Sequence, residues 1–104
     1  MLNHCVFFWS REDLSTAEAA DFERGLRTLL TIPLVVDGTV GVPASTDRPV
    51  IERSYAYALM LRFKDLAAHD AYQVHPTHDA FHARCVQYWS KVVVYDFVDG
   101  RADS

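Results

Sequence analysis

One hundred and four residues, half of them hydrophobic, leave room for one packed domain and exclude a disordered chain. Ten Lys and Arg against fourteen Asp and Glu give a net charge of −4, without the basic excess that a phosphate backbone requires. No apolar run approaches the ~20 residues that span a bilayer. The opening residues lack the basic-then-apolar pattern of a signal peptide.

Leu2 to Trp9 reads as a strand: short, rich in β-formers, apolar on both parities. After a polar connection, Ser15-Thr16-Ala17-Glu18 has the form of a capping box and predicts a helix. Ala19, Phe22, Leu26, Leu29 and Leu30 make its apolar stripe, with Asp21, Arg24 and Thr28 opposite. Pro33 forbids its continuation. Leu34 to Val42 is a second strand, irregular at Asp37-Gly38, where a bulge or bend is expected. Pro43 to Arg53 is polar and reads as an exposed loop.

Ser54 to Phe63 is the clearest strand. Tyr55, Tyr57, Leu59, Leu61 and Phe63 fall on one parity, and Ala56, Ala58, Met60 and Arg62 on the other. Small residues on one face predict a helix packed over the alanines. Asp65 can cap a short helix to about Val74, and Pro76 starts another through Trp89. Lys91 to Val98 is the last strand, and residues 100–104 form a polar tail expected to fray. The order β-α-β-β-α-β is the ferredoxin-like pattern, a four-stranded antiparallel sheet with helices on one face, in a single domain over residues 1–99. Cys5 and Cys85 sit in apolar patterns, which suits reduced thiols in a cytoplasmic protein.

The strands are apolar on both faces, whereas a sheet wetted on one side alternates apolar with polar residues. A homodimer pairing its sheets into an α+β barrel would bury the second face; a different protein partner would do the same.

Chemistry concentrates in Tyr72-Gln73-Val74-His75-Pro76-Thr77-His78. His78 shares the stripe of Phe81, Cys85 and Trp89, so it points inward, either as a satisfied core histidine or as a general acid/base beside a cavity. Asp96, the one acid inside the last strand, is able to fix the tautomer of His78 or to bond a backbone amide or a tyrosine. His4 is in phase with Val6 and Phe8, and Tyr55 and Tyr57 share a face, each able to line a cavity. His75 lines or caps a turn before Pro76, and His69 falls on a polar face. His78 and His82 are four apart, a faint echo of the helical zinc pattern with no third ligand in sight, so no metal site is assigned. No nucleotide-binding or serine-hydrolase motif is present, and no cofactor is expected.

Taken together, His4-Cys5-Val6-Phe7-Phe8, Tyr57-Ala58-Leu59-Met60-Leu61-Arg62-Phe63, Tyr72-Gln73-Val74-His75-Pro76-Thr77-His78 and Trp89-Ser90-Lys91-Val92-Val93-Val94-Tyr95-Asp96 resemble the stress-responsive A/B barrel domain family, nearly end to end. The resemblance implies a small dimeric α+β barrel. It extends more distantly to the olivetolic acid cyclase branch, which closes a polyketide thioester by an aldol condensation without cofactor. By that likeness Tyr72, His78 and Asp96 are catalytic, and His4 and His75 match histidines of the branch, while Tyr57 stands where it has a histidine. The implied activity is acid/base chemistry on a small, partly apolar oxo compound within the barrel. A non-catalytic stress-associated homodimer and a cofactor-independent monooxygenase of the same barrel type are the alternatives.

Overall fold

The computed structural model describes residues 1–100, so most of the predicted tail, 101–104, lies outside the described residues. The chain runs β1 (Leu2–Ser10), α1 (Thr16–Leu29), β2 (Val35–Gly41), β3 (Tyr57–Phe63), α2 (Leu66–Gln73), α3 (Pro76–Cys85), a 3₁₀ turn (Val86–Tyr88) and β4 (Trp89–Val98). The starts of the helices are written locally. The Ser15 hydroxyl accepts from the Glu18 amide while the Glu18 carboxylate accepts from the Ser15 amide. Asp65 accepts from the Ala68 amide to open α2, and Pro76 occupies the first turn of α3. The second helical segment ends at Cys85, short of the expected Trp89; a 3₁₀ turn feeds Trp89 directly into β4.

The four strands lie in the order β2-β3-β1-β4, with every neighbouring pair antiparallel. This is the ferredoxin-like arrangement expected from the pattern. The irregularity expected at Asp37-Gly38 is a register shift between Val35 and Asp37 against β3.

Cross-strand pairing sorts the side chains into two faces. Val6 pairs with Leu59 and Val94, and His4 with Leu61 and Asp96, so these share the helix-covered face. Leu2, Val6, Phe8, Leu59, Leu61 and Phe63 are buried there beneath Phe22, Leu26 and Leu29 of α1 and Phe81 and Cys85 of α3. The helices therefore cover the large residues of β3, not its alanines. The extra area removed from water by Leu59, Leu61 and Phe63 outweighs the closer approach that alanine permits, at ~25 cal/mol per Å².

The opposite face carries Cys5, Phe7 and Trp9 of β1, Met60 of β3 and Val93, Tyr95 and Phe97 of β4. Among the described residues no helix covers it, and Tyr95 and Phe97 are 63% and 56% exposed. Tyr55 belongs to this side: its ring meets Phe7 at 5.0 Å and Trp9 at 6.3 Å. Tyr57 instead meets Phe22 at 5.1 Å and donates to the Ala19 carbonyl. The two tyrosines do not share a face, because regular pairing of β3 begins only at Tyr57 and alternation does not reach back through the loop.

Asp21, expected on the solvent side of α1, is 9% exposed. It accepts two bonds from Arg84 Nε, at 2.9 and 3.1 Å, one from Arg84 Nη2 at 2.6 Å, and one from the Tyr88 hydroxyl at 2.8 Å. These donors hold its carboxyl far below the usual carboxylate range. The cluster ties α1 to the end of α3. Where the two helices cross, a Cβ on Gly25 would stand 2.5 Å from the Cys85 sulfur, which is why the smallest residue sits there.

Candidate functional site

Between the sheet and the helices, at the β4 edge, lies a cavity of about 200 Å³. His4, Val6 and Phe8 of β1 form its floor with Leu59 of β3. Leu29 of α1, Tyr72 and Gln73 of α2, His78, Phe81 and His82 of α3, and Trp89, Val92 and Val94 of β4 complete the wall. Val92 and Val94 point to the helix side, yet α2 and α3 stop short of them, and both remain more than 40% exposed. The cavity therefore opens across the β4 edge. It lies within one chain, not in the barrel expected between two sheets.

The sequence brings the polar residues here by two routes. Strand alternation puts His4 in phase with Val6 and Phe8. The Tyr72–His78 spacing spans the break between α2 and α3, and Pro76 re-aims the chain so that both side chains meet. Their rings stand 4.9 Å apart, edge to face. Tyr72 is 1% exposed and also packs on Phe63 at 4.9 Å. Burial raises its phenol well above the ordinary value, so it stays protonated and able to donate. Burial lowers the His78 imidazole, with Asp79 opposing and His82, His4 and His69 adding to the depression. At neutral pH His78 is thus an uncharged proton acceptor. Among the described residues neither His78 nor the Tyr72 hydroxyl takes part in a hydrogen bond, and neither is a buried orphan. Both face the hollow.

Asp96 is placed differently from the sequence expectation. Its Oδ1 accepts from His4 Nδ1 at 2.6 Å rather than fixing His78. The reason is register: His4 and Asp96 are direct cross-strand partners, and His78 lies on a helix above. The carboxylate fixes the His4 tautomer; desolvation nevertheless lowers the His4 pKa, outweighing Asp96. His75 caps α3, its Nδ1 accepting from the Thr77 amide at 3.1 Å, and does not line the cavity. Tyr55 and Tyr57 are also absent from its wall. His82 does line the cavity, largely exposed and edge-on to Trp89 at 5.8 Å.

His69 is the residue the sequence reading passed over. Its side chain is 14% exposed, and its ring lies 4.9 Å from His4 and 5.6 Å from Phe63. Helical spacing supplied a faint signal, since His69 falls three before Tyr72 on the same side of α2.

The sequence profile of the stress-responsive A/B barrel domain matches residues 2–99. The chain belongs to that family. No curated protein matches its sequence. Among solved structures it is similar to a Dabb family protein with a ferredoxin-like fold from Mesorhizobium loti, at 26% identity over 93% of this chain and 94% of that one, with a TM-score of 0.75. A dimeric ferredoxin-like protein of unknown function from Jannaschia is 26% identical over 93% and 97% of the two chains, at a TM-score of 0.72. A hydroxynitrile lyase from Passiflora edulis shares the fold at 17% identity, covering 99% and 96%, with a TM-score of 0.78.

Proposed function

We propose that this family member binds a small, partly apolar oxo compound in the sheet–helix cavity and moves a proton on it. The observation that carries this reading is the pair at the cavity wall: an uncharged imidazole, His78, and a protonated phenol, Tyr72, their rings 4.9 Å apart, with neither side chain hydrogen-bonded among the described residues. An acceptor and a donor so placed suit abstraction of a proton from the carbon next to a carbonyl. The C–H electron pair moves into the enolate, His78 holds the proton, and the Tyr72 hydroxyl donates to the developing oxyanion. His4, held by Asp96, is a fixed polar point on the floor. The hydroxynitrile lyase among the structural neighbours supports the fold as a frame for catalysis.

Size narrows the ligand. A cavity of ~150 Å³ in a protein core takes a benzene ring, so about 200 Å³ holds one ring and a short substituent. Acetophenone, with one ring and an enolisable methyl ketone, is a suitable probe. Deuterium uptake into its methyl group in D₂O, followed by NMR, should exceed the buffer rate with the wild-type chain. His78→Gln and Tyr72→Phe should each lower that uptake ~10²-fold or more. Uptake that is equal with wild type and His78→Gln refutes the reading.

The assembled state belongs to the same proposal. The open face with Phe7, Trp9, Met60, Tyr95 and Phe97 is covered by a second copy, sheet to sheet, as the dimeric description of related structures supports. The cytoplasm is the setting that two free thiols suit.

A further inference from the structure

We propose that His4, His69 and Asp96 form a binding site for one divalent transition-metal ion of the zinc class. The site goes beyond the proton chemistry above and does not depend on it. Three separate elements, β1, α2 and β4, each contribute one side chain, and one donor atom from each lies within 4.8 Å of the others. Around an ion held at ~2.0–2.1 Å in tetrahedral geometry, donors stand about 3.3 Å apart. Binding therefore asks the three side chains to draw their donors together around the ion.

Four further features fit. Two imidazoles and a carboxylate are a donor set that suits zinc and its neighbours and disfavours calcium and magnesium, which take oxygen. His4 and His69 are held by their surroundings, with 7% and 14% of their side chains exposed and their rings 4.9 Å apart. Asp70 and Gln73 lie 3.1 and 3.3 Å from the two ring nitrogens of His69. Whichever nitrogen turns to the ion, the other keeps a partner that orients the ring. Asp96, by contrast, has 41% of its side chain exposed, which leaves a path for the ion and room for water at the remaining position. A His–Asp pair alone needs no second imidazole; His69 is what turns the pair into a chelating set.

The test is titration of the chelator-treated full chain with zinc chloride by calorimetry, paralleled by cobalt(II) with its visible absorption as reporter. One ion per chain is expected. Asp96→Asn and His69→Gln should each weaken binding at least ~100-fold, beyond the 10–100-fold typical of losing an orienting partner. Both positions lie at the edge of the core, and circular dichroism checks that each variant is folded; either folded variant suffices. His82→Ala should leave binding unchanged. Absence of saturable binding by the wild-type chain, unchanged affinity in a folded Asp96→Asn or His69→Gln variant, or loss of binding in His82→Ala would each overturn the proposal.

Discussion

Replacing Tyr95 by aspartate should prevent the proposed sheet-to-sheet homodimer from forming. Tyr95 sits on the uncovered face of β4, 63% exposed, with its ring 6.2 Å from Phe7. An aromatic side chain buries ~200 Å², so dimerisation removes about 125 Å² of Tyr95 from water, worth ~3 kcal/mol. The two-fold repeats the loss, giving ~6 kcal/mol per dimer, or about four decades in Kd at ~1.4 kcal/mol per decade. Association recovers only part of such burial, so two to four decades is the expected range. Within one chain Tyr95 supports little, and the variant should keep its circular dichroism spectrum. Sedimentation velocity between micromolar and hundred-micromolar protein reads the result. A Tyr95→Asp chain that dimerises within tenfold of wild type, or a wild-type chain that is monomeric throughout, would show that the second face is not the interface.

Deuterium uptake by the probe should depend on pH through His78. Tyr72, Asp79, His82, His4 and His69 act around it, and burial outweighs Asp79, so its pKa lies below 6.5. The base form is the neutral one; uptake should hold as pH falls through 6.5 and drop only below the depressed value, and a fall centred above 6.5 would contradict the burial argument. Asp21 has a folded-state pKa depressed below its unfolded value, so it stabilises the fold above the ordinary carboxylate range, and that contribution is lost as pH falls toward the folded value. Asp21→Asn should therefore flatten the acid limb of thermal stability against pH, whereas a slope equal to wild type would remove the Arg84–Tyr88 cluster from the acid response. Gly25→Ala gains ~1 kcal/mol of helix propensity but forces a Cβ to 2.5 Å from the Cys85 sulfur, an overpacking that costs ~1–3 kcal/mol. Chemical denaturation should show net loss in Gly25→Ala and a smaller loss for the same change made in a Cys85→Ala background; equal losses would mean that α1 and α3 do not meet there.

The residues that start and stop elements were legible because their signals are local. Ser15 with Glu18, Asp65 and Pro76 each act within one helical turn, and the alternation of Leu59, Leu61 and Phe63 fixes one face of β3. The apolar character of both faces was equally plain. What alternation does not say is which face receives the helices, and the expectation of a helix over Ala56 and Ala58 chose the wrong one. Nor does it say where regular pairing begins, which is why Tyr55 and Tyr57 part company. Tyr72 and His78 stand out by their spacing across Pro76, and they do meet. The partner of Asp96 depends on pairing between positions 92 residues apart, beyond any spacing rule. Asp21 looked like a solvent residue because its partners, Arg84 and Tyr88, come from the far end of the chain.

The two faces of the sheet give the most direct test of where the function sits. In an amide and side-chain NMR titration with acetophenone, saturable shifts should fall on Val6, Phe8, Tyr72, His78 and Trp89, the wall of the sheet–helix cavity. Shifts gathered instead on Phe7, Tyr55, Val93 and Tyr95 would place the ligand on the opposite face, between the two sheets, and contradict a site built within one chain.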